Sequence, residues 1–254
     1  MKKFLTTRMS GLAVGAVLSA AVLFMSCNKS LDDDNSNNTP VAGLMAFNLA
    51  TDTPPVSIAL SGSLLTAVAL GFNNYSGAYL AIYPGTRTVE SYNYATGADL
   101  ADTSFNFEAT KYYSVFVVGS DNNYENIVVE DKLDSVSAPG KAFIRYINAI
   151  PDAAVPSVTI TANGTTTVNE PAAFKTVSAF TAVDAGSVAI TVSNGTTIDA
   201  NRSITLEQNK IYTVLLIGKP GATGETAVQI KYITNGTTDE NAAKSNAAAA
   251  KTIN

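Results

Sequence analysis

The chain repeats itself, and this limits its possible architectures more than any other feature. Residues 42–60 (AGLMAFNLATDTPPVSIAL) realign with residues 142–160 (AFIRYINAIPDAAVPSVTI) at an offset of 100, placing Ala42, Asn48, Asp52 and Ser57 on Ala142, Asn148, Asp152 and Ser157. A second block, Ala78–Ile82, matches Ala179–Val183, each followed three residues later by Gly85 or Gly186. A third, FNFEATKYYSVFVVG (105–119), matches ITLEQNKIYTVLLIG (204–218). Three blocks in one order at near-constant spacing mean a tandem duplication. The repeats are expected to form two domains, 41–133 and 140–233. Residues 134–139 make a small, polar linker ahead of Gly140.

Within each repeat the apolar period is two rather than 3.6. Val188, Ile190 and Val192 alternate with polar or small residues, as do Val158 with Ile160 and Ile204 with Leu206. Such alternation marks half-buried strands. Ile211–Ile217 is nearly all apolar and reads as a strand covered on both faces; Tyr112–Val118 is its partner in the first repeat. Asn163-Gly164 and Asn194-Gly195 separate such runs and favour type I′ hairpin turns. The expectation is an all-β protein of two tandem immunoglobulin-like antiparallel β-sandwich domains, with seven or eight strands each. A domain of this size buries roughly 60–65% of its unfolded surface, enough to fold independently without disulfides.

Residues 1–26 read as a lipoprotein signal peptide. Lys2, Lys3 and Arg8 precede an apolar stretch, Gly11–Met25, that is short for a membrane span. It ends Leu23-Phe24-Met25-Ser26-Cys27, which resembles a lipobox, and Cys27 is the only cysteine in the chain. Cys27 is therefore the expected lipidation site. One acyl chain holds a membrane only marginally, so a stable anchor needs two or three. Residues 27–40 are too polar to bury and read as a flexible acidic tether. Asp32–Asp34 resembles the export signal of surface-sorted lipoproteins in some Gram-negative bacteria. That likeness implies a lipid-anchored outer-membrane protein facing the cell exterior.

Three segments carry a family resemblance: IRYINAIPDAAVPSVTIT (144–161), the block Phe180–Gly186, and LEQNKIYTVLLIG (206–218). Together they resemble the family of domains of unknown function numbered 4397, over about residues 140–220. The first copy diverges, with Leu49-Ala50-Thr51-Asp52 in place of the Ala-x-Pro-Asp turn. The resemblance implies extracellular β-domains, often lipid-anchored, with no established catalytic chemistry.

Composition narrows the function further. The chain has no His, which excludes a Ser-His-Asp triad, a Cys-His dyad and a His₃ zinc site. No cofactor and no metal is expected. Without residues 1–26 the chain has 13 basic against 21 acidic residues, a balance that repels phosphate and argues against nucleic acid as a partner. Asn48/Asp52 and Asn148/Asp152 read as strand-ending Asx turns, with calcium ligation as the alternative. Glu108/Lys111 and Glu207/Lys210 read as surface ion pairs. By analogy with other sandwiches, Tyr113 and Tyr212 could each bond a hydroxyl to the backbone at a sheet corner.

Eight of the eleven tyrosines lie in the first repeat, which is also the acidic one, with nine Asp/Glu against three basic residues. Tyr75, Tyr92, Tyr94 and Tyr124 are the candidate ligand-binding residues, because exposed Tyr stacks on sugar faces and anchors protein partners. The first repeat follows the tether directly, so the sequence places it nearer the membrane than the second. The functional expectation is a non-catalytic interaction, adhesion or structural module at the cell surface, contacting the membrane through its lipid anchor and a surface protein or glycan through these residues. The alternatives are a glycan-binding module using the tyrosines and, last, a hydrolase drawing on Glu90, Asp99, Asp102 or Glu125. Residues 234–254 read as a low-complexity tail in which Asp239 could cap a marginal Ala-rich helix.

Overall fold

Strand alternation becomes two layers of sheet in each repeat. The computed structural model describes residues 40–238; the signal peptide, Cys27, the tether and the Ala-rich tail helix lie outside the described residues. The first module contains β1 (Ala42–Asn48), β2 (Val56–Leu60), β3 (Ser63–Leu64), β4 (Asn74–Tyr75), β5 (Leu80–Ile82), β6 (Gly85–Asn93), β7 (Asp99–Phe107), β8 (Tyr112–Ser120) and β9 (Asn123–Glu130). The second contains β10 (Lys141–Asn148), β11 (Ser157–Ala162), β12 (Thr165–Pro171), β13 (Thr181–Asp184), β14 (Gly186–Ser193), β15 (Asp199–Leu206), β16 (Lys210–Ile217) and β17 (Gln229–Thr237). The duplication carries through to the topology, apart from one extra short strand in the first module. One sheet runs β4-β1-β8-β9, with β5 also on β1, and matches β13-β10-β16-β17. The other runs β3-β2-β6-β7 and matches β12-β11-β14-β15.

The sheets are antiparallel except for one parallel pair per module. β1 runs parallel to β8, from Gly43 opposite Tyr112 to Asn48 opposite Val117. β10 runs parallel to β16, from Phe143 opposite Ile211 to Asn148 opposite Leu216. The chain crosses to the other sheet between these strands and re-enters alongside the first in the same direction. Alternation reports which face a residue takes but not the direction of its neighbour, so this departure from a purely antiparallel sandwich was not visible in the sequence.

Each module has its own core. In the first, Leu44, Ala46, Val56, Ile58, Val89, Tyr113, Val115 and Val117 pack together. In the second, Ile144, Tyr146, Val158, Ile160, Val188, Ile190, Tyr212, Val214 and Leu216 do so. The residues between them on β1, β8, β10 and β16 point the other way and are also buried. They form a third core shared by the modules: Met45, Phe47, Leu49, Phe116 and Val118 against Ile147, Ala149, Leu215 and Ile217. Ile211–Ile217 is thus covered on both faces, and the second cover is the other module. The two domains expected from the repeats thus share a buried face in addition to their own cores. A hydrophobic strand face with no second cover would stand exposed to water, and the neighbouring module supplies that cover.

The shared core draws on repeat counterparts from the two modules: Phe47 and Ile147, Leu49 and Ala149, Phe116 and Leu215, Val118 and Ile217. This is the pattern of an isologous dimer, realised within one chain. Residues 134–139 are not a free linker, since Val136 packs with Leu133, Phe143 and Ile211 at one end of the interface. The second module also extends past residue 233, because β17 continues to Thr237 and buries Asn235.

Repeated residues have repeated jobs. Asn48 Oδ1 accepts from the Ala50 N–H at 3.2 Å and its amide donates to the Leu70 carbonyl at 2.9 Å. Asn148 does the same with Ile150 at 3.0 Å and Ala172 at 2.8 Å. These side chains satisfy backbone groups where the strand ends. The Glu108 N–H donates to the Tyr113 hydroxyl at 2.9 Å, and Glu207 N–H to the Tyr212 hydroxyl at 3.1 Å. Lys111–Glu108 and Lys210–Glu207 form exposed ion pairs at 3.1 and 2.8 Å. Asn163-Gly164, with φ of 47° and 82°, is the expected tight hairpin. Asn194-Gly195 is not. Its loop spans residues 194–198, and Asn194 Oδ1 accepts the N–H groups of Thr196, Thr197 and Ile198 at 3.0 Å each, so the side chain organises a wider turn.

Candidate functional site

The parallel pairs give the molecule two distinct ends. The described chain enters at β1 and its last strand closes with Thr237 opposite Lys210, at the start of β16. At that near end lie Leu133, Phe143 and Ile211. At the far end β1 and β10 finish, and the loops after β8 and β16 meet, Lys219 bonding Asp121 at 2.6 Å. Seven residues of β1 separate the ends by about 20 Å.

All four candidate tyrosines belong to the far end. Tyr75 lies opposite Phe47 near the end of β1, Tyr92 opposite Ser57 near the start of β2, and Tyr124 opposite Gly119 near the end of β8. Tyr94 follows β6 and is 65% exposed. Their environments differ. Tyr75 is half-buried and stacks on Phe47, with centroids 5.5 Å apart, so it supports the shared core. The Tyr124 hydroxyl donates to Asp52 Oδ1 at 3.0 Å, and its pKa is raised by burial and by that carboxylate. Tyr92 is half-exposed, and its hydroxyl is raised by burial and by Glu90. Among the described residues no ring contact joins two of the four, so they share an end without forming a stacked platform.

An open cleft of about 350 Å³ lies between the modules at this end. Ser120, Asp121 and Asn123 line one side, and Pro151, Asp152 and Phe174 the other. The Asp121 N–H donates to Asp52 Oδ2 at 2.7 Å, linking the cleft to the Tyr124 pair. Lys219 and the Ser120 hydroxyl hold the Asp121 carboxyl below its ordinary range. Lys175 pairs with Glu125 and lies 5.3 Å from the Phe174 ring centroid. The far end therefore carries more carboxylates than cations, and both lysines are engaged. Among the described residues no group of three or more His, Cys, Asp or Glu is placed to hold a metal ion, and no helix is long and apolar enough to cross a membrane.

The domain of unknown function DUF4397 matches residues 42–155 and again residues 142–252. The chain belongs to the DUF4397 family. No curated protein matches it. Among solved structures, a crystal structure of a candidate cell adhesion protein from Bacteroides eggerthii DSM 20697 is similar at 12% identity, with a TM-score of 0.26, over 80% of this chain and 98% of that one.

The tandem DUF4397 modules meet around a buried polar ring that sequence reasoning missed. Arg145 and Asp131 are 2% and 0% exposed and pair at 2.6 Å across the interface. Ser114 donates to Asp131 at 2.7 Å, and Tyr79 donates to it at 2.6 Å. The Asn235 amide donates to the Tyr79 hydroxyl at 3.2 Å, Thr213 donates to Asn235 Oδ1 at 2.6 Å, and Arg145 Nε donates to Thr213 at 2.9 Å. Arg145 also lies 4.5 Å from the Phe180 ring centroid. Burial and the Asp131 charge push the Tyr79 hydroxyl well above its ordinary range. The available signal was Arg145 itself, the one charge in the apolar run from Ala142 to Ile147. A buried cation in such a run needs a buried anion.

Proposed function

We propose that this DUF4397 protein is a non-catalytic surface lipoprotein that presents the far end of its paired modules to a protein partner. In this reading acyl chains on Cys27 hold it in the outer membrane, facing the exterior, and residues 27–40 form the stalk. One observation supports it above the rest. The described chain enters and leaves at the near end, whereas the four tyrosines and the cleft occupy the opposite end. Because the modules lie side by side, the first is not hidden beneath the second, and a tether attached at β1 points the tyrosines outward. Tyr94, exposed and unstacked, is the principal contact, with Tyr92 beside it. A glycan reading draws on Phe174 and Pro151 beside Asp152, with Asn123 across the cleft.

Tyr94→Ala and Tyr92→Ala in the full chain test the reading. Tyr94→Ala is expected to change stability by under ~0.5 kcal/mol. Partner capture from the cell surface should fall more than tenfold, about 1.4 kcal/mol. Binding that survives both changes refutes the far-end assignment, and capture of neutral glycans alone on an array selects the second reading. Cys27→Ser should abolish detergent-phase partitioning; a normally anchored product refutes the lipid anchor.

A further inference from the structure

The shared face poses a problem that the polar ring solves. Two modules built on the same repeat bury counterpart residues against each other, so each face also resembles the one it would need to pair with its own kind. A first module of one chain could in principle bury its face against a first module of another. The ring breaks this equivalence. Met45 lies opposite Ser114 on β8, and its counterpart Arg145 lies opposite Thr213 on β16. Asp131 accepts from Ser114 just as Asn235 accepts from Thr213. Tyr79 of the first module stands where the second has Phe180. The hydroxyls are shared, whereas the cation and the anion are each present on one side only.

We propose that Arg145 and Asp131 form a pairing code that directs each module's inner face to the other module and away from its own kind. Two first modules brought together would bury two Asp131 carboxylates facing methionines. Two second modules would bury two Arg145 guanidinium groups facing asparagines. Each arrangement leaves ions without counter-charge in a dry interface, which is strongly disfavoured. Only the first-to-second pairing closes the ring, with every member hydrogen-bonded. The code thus suppresses like-with-like pairing of modules between chains on a crowded surface. It is independent of what the far end binds.

The test uses the full mature chain. Arg145→Met and Asp131→Asn each strand the other ion and should lower the thermal midpoint by roughly 10 °C. The double variant gives both faces the Met and Asn of their counterparts. It should recover more than half of that loss and, unlike the wild type, form dimers through like-with-like module pairing that grow with concentration in light scattering. A second route keeps the native pair. Met45→Arg with Asn235→Asp adds a mirror-image pair, so like modules can also satisfy one another, and the same concentration-dependent dimers are expected. Double variants that are folded yet monomeric throughout the range overturn the proposal. So does an Arg145→Met/Asp131→Asn protein no more stable than either single variant.

Discussion

Phe116→Ala tests whether the shared core makes the modules one folding unit. Phe116 is fully buried, yet it belongs to the face that β8 turns away from its own module. It stacks on Phe47 at 4.7 Å and packs with Leu215 and Ile217 of the second module. Truncating a buried Phe costs ~3–5 kcal/mol. If the two modules melt together, about 200 residues contribute an unfolding entropy of about 0.4 kcal/mol/K, so a 4 kcal/mol loss moves a single transition down by about 10 °C. If each module melts alone, about 95 residues contribute about 0.2 kcal/mol/K. The first module's transition would then fall by about 20 °C while the second's stayed in place. Differential scanning calorimetry of the full chain separates these outcomes. Amide exchange in β16 adds a second readout, since loss of a neighbour in the other module should speed it. Two resolved transitions, with β16 exchange unchanged by the substitution, would refute the shared core.

Three further outcomes follow from the geometry. Gly119→Ala should prevent the β8–β9 turn from closing, because φ is +120° and a Cβ would stand 2.0 Å from the Asn123 carbonyl oxygen; a circular-dichroism melt should show a clear loss, whereas Gly97→Ala, with nothing within 4 Å, should show only the cost of its positive φ. Tyr212→Phe removes the acceptor for the Glu207 N–H while keeping the ring, and urea unfolding should register ~1–2 kcal/mol. Asp121 has a folded pKa below its ordinary 3.8, so its link to Lys219 stabilises above that pH and is lost as acid protonates it. The stability difference between wild type and Asp121→Asn should therefore close as pH falls below 4, and a difference that widens instead would reverse the assignment.

Local features of this chain were legible in its sequence because their causes are local. The offset of about 100 between repeats carried over to matching sheet orders. At Asn48 and Asn148 the accepting half of each closure is local, to the N–H two residues on, whereas the donating half reaches Leu70 and Ala172, 22 and 24 positions away. The corner bonds of Tyr113 and Tyr212 span five residues, and period-two alternation set which side chains entered each core. The asparagine loop at 194–198 escaped because an Asn-Gly pair also occurs in turns wider than a hairpin's, and loop length is decided by where the strands stop pairing.

The tertiary structure decided what covers the other faces of β1, β8, β10 and β16. An all-apolar strand announces that both faces are buried without naming the second cover. Here that cover is the other repeat, and the shared core brings together residues such as Phe116 and Leu215, about a hundred positions apart. Arg145 and Asp131 are only 14 positions apart, yet they lie on opposite sides of the module boundary. Their pairing depends on how two finished sandwiches stack. Hydrophobic pattern alone could not specify it, because the apolar faces of two copies of one module are nearly interchangeable, and the distinction between them rests on charges that meet only after both have folded.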